Sequence, residues 1–595
     1  MRDNANRWLE QKEDGMMAAS AHSAQTLLVK SALHHWRSAV SAALALLLVL
    51  MLACGAAATP SSQRQAPPSG SGALPTLAPQ PVPATAASPA VNPGTVTWMV
   101  GNWEGARMTN LHVVNPNYGN LLHSFLVSTN EKRDLIPGLA SQWEVSADGK
   151  TWTFTIREGA KFHDGRPVTA ADAVFTWNHA WGPGSLEKST SSTTQNQGRN
   201  FESAQLVDDR RASLTTKKVD ASIPYFVGDA VGSVQGIVLP RWPADKIHND
   251  AQILAYEQSP VGAGVMKLYR HVPSEVMQFE RFEDFYMPDR RPKFRYLDLR
   301  QVPEEATRIA ALRAGEADIA PISLSSRAQL ESAGGRVVFG PEGTYLYARF
   351  REPWITDYPT GKREVRQALA YALDLRIFRD KLFGPEVYVS KGWNNVTPSA
   401  LGYSPELDPY PFDPVKARQL LAQAGYPEGK GFPLLIVNTW TSRATPLLPE
   451  SAQIAADMWR RELGIPVEVR LGDEAKFKQD WITEGALRGQ ILWRDNETRV
   501  DAGNIVRGTF GTPTAPGRQT NDPAIFKQAQ EAVAILDREK RAQAYNQLYR
   551  VLKEDVGEIA LGYQNIPWGV GSRVKQWAPM PMAFWVSGLH TIVLK

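Results

Sequence analysis

With 595 residues, 43% of them hydrophobic, the chain is long enough for more than one domain and can bury large cores. Its 65 basic and 61 acidic residues leave a net charge of +4, which gives no case for a nucleic-acid binder. The 18 Trp and 17 Tyr supply flat amphipathic rings that serve polar organic ligands as readily as cores.

Lys30, His34, His35 and Arg37 stand before an apolar run from Ala39 to Ala53 that ends in small residues, the parts of an export signal. The run is near the lower limit for crossing a bilayer, so an uncleaved anchor stays open as the alternative. Met16 and Met17 are alternative start positions. Cys54, the sole cysteine, follows the run directly and cannot form an internal disulfide. Its placement resembles the lipid-modified cysteine of bacterial lipoproteins, although Met51 and Leu52 stand where those signals usually carry Leu and a small residue. Residues 1–54 are thus predicted to be an export and lipoprotein signal region. Residues 55–94, rich in Pro, Ala, Ser and Thr, are predicted to be a disordered tether, because they hold too little apolar surface to offset ordering entropy.

The folded body is predicted to begin with a strand over Thr95–Val100, followed by the polar loop Asn102-Trp103-Glu104 and a helix over Leu121–Leu126. Trp152, Phe154 and Ile156 alternate with Thr151, Thr153 and Thr155, which predicts a strand paired through Asp148-Gly149 to one holding Trp143 and Val145. His163-Asp164-Gly165 reads as a turn, and Thr169 caps a helix that starts at Ala170. Paired strands follow between Phe201 and Val219, and a Gly-rich loop at Val261-Gly262-Ala263-Gly264. No Lys-Ser/Thr pair follows Gly264, which argues against a phosphate loop. Downstream come a strand at Tyr296–Val302, a helix through Ile309 and Leu312 ending at Gly315, and an alternating strand at Thr344–Phe350. Helices at Val365–Asp374 and after Asp413, a strand at Val467–Arg470, a helix at Arg541–Leu552 and a strand at Ile559–Tyr563 complete an alternating pattern typical of an α/β domain.

The wording of Leu135–Phe175, with PGLA, DGK, TFTIREG, KFHDG and DAVF in that order, closely resembles the hallmark segment of the extracytoplasmic solute-binding proteins, family 5, that serve peptide- and nickel-type ABC importers. Pro260–Leu268 resembles a second segment of that family, with Ala263 and Val265 in place of its usual Thr and Pro. The resemblance extends from Val96 to Lys595. It implies an α/β, periplasmic-binding-protein-like bilobal fold (type II, class C) with an extra small inserted domain. The implied divisions are 95–134, 258–340 and 563–595 for lobe I, 135–257 for the small domain and 341–562 for lobe II. It also implies partners: a small-molecule ligand, peptide or other polar solute, and the permease and ATPase subunits of an importer. Attachment to the membrane through lipid at Cys54, an extracytoplasmic location and a monomeric state complete the expectation.

Chemistry of other kinds has little support in the sequence. G-x-S-x-G and HExxH are absent, Cys54 lies outside the fold, and the acidic pairs Asp208-Asp209 and Glu304-Glu305 read as solvated faces, so neither an enzyme, a metal site nor a cofactor is predicted. A secreted hydrolase with catalytic groups far apart in sequence, a sensing receptor without transport, and an oligosaccharide receptor of the same fold stay open as alternatives. For ligand binding, the strongest stretch is Ile491–Asn496, in which an apolar strand runs into mixed charge. The resemblance implies a Trp followed three positions later by an Asp that pairs with a ligand amino terminus. Here Asp495 follows Trp493 by only two, and the forked donors of Arg494 suit a carboxylate instead. Trp493, Asp495 and Arg494 are therefore the first candidates, with Asn102, Trp103, Glu104, Trp393, Asn394, Trp440 and Tyr345 as further cleft residues.

Overall fold

Alternating side chains along Arg336–Phe350 and Glu558–Val570 build two long strands, and these two strands run through both halves of the molecule. In the computed structural model, the described residues are 94–101, 116–182, 198–229, 236–241, 259–442, 444–511, 513–514, 518–583 and 585–595, all within the compact unit Ala87–Lys595. Cys54, the predicted signal segment and the predicted tether up to residue 93 lie outside the described residues, as do Asn102, Trp103 and Glu104.

Strands β1 (Thr95–Val100), β8 (Met266–Val272), β9 (Val276–Arg281), β10 (Tyr296–Gln301) and β11 (Ile319–Pro321) form one side of the main sheet. Strands β14 (Leu435–Thr439), β15 (Val467–Leu471) and β16 (Ile491–Glu497) form the other, and the pair β12 (Arg336–Phe350) and β17 (Glu558–Val570) joins them. The order is β15-β14-β16-β12-β17-β11-β1-β10-β9-β8, with β13 (Tyr388–Val389) added beside β17. Arg336–Gly340 pairs with Ile566–Val570, whereas Thr344–Arg349 pairs with Glu558–Gln564, and the register shifts between Gly340 and Thr344. Pro341, Glu342 and Gly343 occupy that break, and Glu342 has a φ of 54°, a left-handed value unusual for a residue with a side chain.

A second, four-stranded antiparallel sheet, β4 (Ala140–Val145), β5 (Thr151–Ile156), β7 (Arg211–Thr216) and β6 (Phe201–Leu206), lies beside the first half. On β5, Trp152, Phe154 and Ile156 are buried while the intervening threonines are half-buried, as the alternation predicted. These side chains and Trp177 of the helix Ala170–Trp181 share one hydrophobic core with Val96, Trp98, Leu297 and Leu299 of the main sheet. That helix starts where Thr169 donates through its N–H (2.9 Å) and hydroxyl (2.7 Å) to the Asp172 carboxylate.

The second half has a core on each face of its sheet, following the two-residue period of β12. Leu346, Ala348 and Phe350 face one core together with the helix Leu448–Leu463. Tyr345 and Tyr347 face the other, beneath the helices Pro523–Ala534 and Arg538–Asp555. Two predicted elements differ from the structure. The helix expected over Leu121–Leu126 spans Pro116–Leu122, because carbonyls beyond it are claimed by tertiary donors: Gly264 N–H to Leu122 O (2.8 Å), Val238 N–H to Ser124 O (2.8 Å) and Leu139 N–H to Phe125 O (2.9 Å). The strands expected at 344–350 and 559–563 are each longer, continuing across the register break into the first half.

Candidate functional site

Strands β14 and β16 run parallel, and β16 continues past the end of β14 until Glu497 pairs with Thr344 of β12 beside the register break. In open sheets, ligands bind outside the carboxyl ends of parallel strands. Here that rim collects Ser442 and Thr445 after β14, Asp495, Asn496 and Glu497 on β16, Thr344 on β12 and Gln564 on β17.

The candidates on β16 separate according to strand parity. Trp493 is 0% exposed: its indole N–H donates to Ser451 Oγ at 2.9 Å, and its ring lies 6.1 Å from those of Trp459 and Phe378. The expectation that it lines a ligand pocket is corrected, since the helix Leu448–Leu463 covers it and makes it a core residue. Asp495 lies two residues further along the same strand and accepts a 2.5 Å hydrogen bond from Ser442 Oγ. Burial pushes its carboxyl above the usual range, opposed by the hydroxyls of Ser442 and Thr445. Thr445 Oγ1 also donates to Gln564 Oε1 at 3.0 Å, which ties this loop to β17.

Arg494 points to the other face. Its guanidinium carbon lies 5.4 Å from the Tyr347 ring centre and 5.8 Å from that of Trp440. It is half-buried and has no carboxylate within ion-pair distance among the described residues, and its Nε makes a 3.4 Å contact with the Asp495 carbonyl. Two neighbouring arginines are already committed. Arg349, 4.8 Å from the same Tyr347 ring, pairs with Glu558 at 3.0 Å, and Arg499 pairs with Glu497 at 3.4 Å. Arg494 and Asp495 therefore address opposite sides of the sheet, and one end of a small ligand cannot meet both.

The remaining candidates divide between wall and support. Trp440 is buried but packs against Arg494, so it belongs to this site through the arginine. Asn394 is buried with a φ of 46° and accepts from Arg349 Nη2 at 3.2 Å. With Asn395 (φ 68°) it forms a tight turn closed by the Trp393–Val396 bridge. Trp393 itself packs on Phe510 and Tyr549, and Tyr345 stacks on Tyr347 while donating to Gly392 O at 3.1 Å. Both are enclosed, which corrects the expectation that they present their rings to a ligand.

The sequence reading missed Glu342. At the register break its carboxylate accepts from the hydroxyls of Thr397 and Ser399 (2.9 Å for the latter), its N–H donates to Asn565 Oδ1 at 3.0 Å, and Thr498 Oγ1 donates to its carbonyl. It fastens both strands of the crossing to the loops that carry the rim. Nothing in the local sequence marks it; only a Pro-Glu-Gly break in an alternating strand hints at it. Elsewhere, a cavity of about 160 Å³ lies between Leu121, Phe125, Tyr286, Trp585 and Leu589. Its polar end is occupied by Asp229, which accepts from Ser128 and Thr129 at 2.8 Å each.

The model of the bacterial extracellular solute-binding proteins, family 5 Middle, matches residues 134–506. A similar protein is the di/tripeptide-binding protein 3 of Pseudomonas aeruginosa, 26% identical over 454 residues that cover 72% of this chain and 81% of that protein. Among solved structures, the ABC transporter substrate-binding protein CtaP of Listeria monocytogenes superposes with a TM-score of 0.69 at 19% identity, covering 84% of this chain and 99% of its own. DppA of Helicobacter pylori, solved with a bound peptide, gives 0.68 at 20% identity, with 84% and 98% covered. The mixed sheet, its two-stranded crossing and these likenesses establish the bilobal periplasmic-binding-protein fold, and the chain belongs to the family 5 bacterial extracellular solute-binding proteins.

Proposed function

We propose that this solute-binding protein is the receptor of an ABC importer, that it captures an oligopeptide or a similar polar organic solute, and that Arg494 receives a carboxylate of that ligand. The observation that carries the reading is the guanidinium of Arg494, held between Tyr347 and Trp440 at the sheet rim while Arg349 and Arg499 have carboxylates of their own. A planar fork oriented by two rings is set for a bidentate carboxylate and loses little freedom on binding. Asp495, spanned by Ser442, orders the 442–445 loop rather than meeting a ligand amine.

In this reading, lobe I holds 95–134, 258–340 and 563–595, lobe II holds 341–562, and 135–257 forms the small domain. The lobes rotate about the break at Pro341-Glu342-Gly343, closing on the ligand before docking to the permease. Micromolar capture requires about 8 kcal/mol net. Turnover is assigned to the partner ATPase, and the receptor itself acts without catalysis as an extracytoplasmic monomer. It is tethered through lipid on Cys54 and the Pro-rich segment. Mass spectrometry of Cys54 in membrane fractions tests the tether: an unmodified cysteine rejects it.

Thermal shift against di-, tri- and oligopeptides, with oligosaccharides as the contrasting set, tests the ligand class. Peptides should raise the melting temperature, and Arg494→Gln should abolish the shift for free-carboxylate peptides more than for their amides. A response to oligosaccharides alone, or equal responses to acids and amides, rejects the carboxylate reading.

A further inference from the structure

Protein interiors contain few voids larger than a water molecule, and the cavity of about 160 Å³ in the first half is well beyond that size. A void of about 150 Å³ with apolar walls accepts a benzene ring. Four stretches far apart in sequence line this one: the end of the helix Pro116–Leu122 with Phe125, Val265 just before β8, Phe285 and Tyr286 after β9, and the segment from Met580 to His590. Thr344, Ser442, Arg494 and Asp495 of the rim are not among the described residues that line it, so it is a separate space.

The walls are tied in place rather than free to collapse. On one side Ser124 Oγ donates to Ala263 O at 2.7 Å. On the other, Met580 N–H donates to Ser587 Oγ at 3.2 Å and Met582 N–H to Pro341 O at 2.8 Å, which fixes the carboxyl-terminal wall to β12. His590 Nε2 contacts Glu131 Oε1 at 3.3 Å and so joins the two sides. A cavity held in shape this way costs a ligand little reorganisation. The apolar wall is largely aromatic, with Phe125, Phe285 and Trp585, which suits a ring. The polar end is more selective. Asp229 accepts one bond on each carboxylate oxygen, from Ser128 Oγ and Thr129 Oγ1 at 2.8 Å, so each oxygen keeps capacity for a further donor. Burial raises the Asp229 carboxyl and Arg133 opposes this, while Arg290 pairs with Glu131 at 3.5 Å. Two acids against two arginines leave no net charge to attract an ion: a carboxylate would meet Asp229, and an ammonium group would meet Arg133 and Arg290.

We propose that this cavity is a second binding site, independent of the rim, for an uncharged single-ring molecule that carries one hydroxyl donor. The ring fills the space between Phe125, Phe285, Trp585 and Leu589, and the hydroxyl donates to the Asp229 carboxylate. Phenol is the simplest compound with these properties. A molecule that binds the folded chain here and not the unfolded one raises the melting temperature in proportion to its occupancy.

Thermal shift and ligand-observed NMR on the full-length chain test this with phenol, anisole, benzoate and benzylammonium. Phenol should bind saturably with a Kd of about 1 mM or below. Anisole, which has the ring but no donor, should bind at least fivefold more weakly, and the two ions at least tenfold more weakly. Methyl-labelled protein should give intermolecular NOEs from phenol to Leu121, Val586 and Leu589. Val586→Phe, which fills the space, should weaken phenol at least tenfold. Absence of saturable phenol binding, equal binding of anisole or either ion, or an unchanged phenol Kd in a folded Val586→Phe overturns the proposal. If Val586→Phe does not fold, the NOEs on the wild-type chain decide: contacts with those three methyl-bearing residues support the site, and contacts only elsewhere overturn it.

Discussion

The imidazole of His163 contacts Gly264 O at 2.9 Å, while the His163 N–H donates to Gly262 O at 2.8 Å, so the two sequence segments that most resemble the family are bonded to each other. Their wording has a mechanical basis in this chain. The KFHDG turn, which follows β5, grips the glycine loop before β8, and that loop lies against the end of the helix Pro116–Leu122.

Burial of His163 pushes its pKa from the ordinary 6.5 down to about 4, with a partly opposing contribution from Gly264 O. Between those values the unfolded chain binds the proton and the folded chain does not, so stability should fall as pH drops from 6.5 towards 4. The full loss is about 3 kcal/mol. Urea unfolding at pH 7 and pH 4.5 checks this, with His163→Gln expected to show a shallower pH dependence.

The glycine loop is predicted to tolerate no side chain at two positions. A Cβ on Gly262 would stand 1.8 Å from Leu122 O, and one on Gly264 2.1 Å from Leu121 O, both backbone atoms. Gly264→Ala should cost at least about 2 kcal/mol, in the range of overpacking, and lower the urea midpoint without changing the slope. A midpoint equal to wild type would show that the loop can withdraw from the helix.

Neighbours on β16 should behave differently. Trp493→Ala empties a core site and is expected to destabilise by about 3–5 kcal/mol. Arg494→Gln, on the half-buried rim, should change stability by less than about 1 kcal/mol yet weaken carboxylate-bearing ligands at least tenfold. Melting curves and titration calorimetry on the two variants separate these roles.

The pair Arg349–Glu558 is buried on both sides. Burial raises the Glu558 carboxyl above its usual range, and Arg349 offsets that. Arg349→Met should destabilise by about 3–5 kcal/mol because it strands Glu558, whereas adding Glu558→Leu should recover much of the loss. Denaturant unfolding of the cycle decides whether the pair is held by charge or by shape.

Much of the fold was legible because its elements announce themselves locally. Trp152-Thr153-Phe154 carries a strand period, Thr169 and Asp172 a cap, and Gly315 (φ 75°) a helix stop. The site was less so. Ser442 and Asp495 are 53 positions apart, Thr445 and Gln564 119, and no local pattern brings such pairs together. Parity along β16 puts Arg494 on the face opposite Trp493, but it cannot show that Trp493 is buried against the helix Leu448–Leu463. The register break was obscured for a related reason: a strand has the same alternation on either side of it.

That crossing also bears on how such receptors diversify. Because Arg336–Phe350 and Glu558–Val570 each supply strand partners on both sides of Glu342, the second half is not a cassette that recombination can exchange at a loop. A transplanted half must bring its own stretch of both strands in matching register, shift included. Single changes within one half are therefore more accessible than exchange of a whole half.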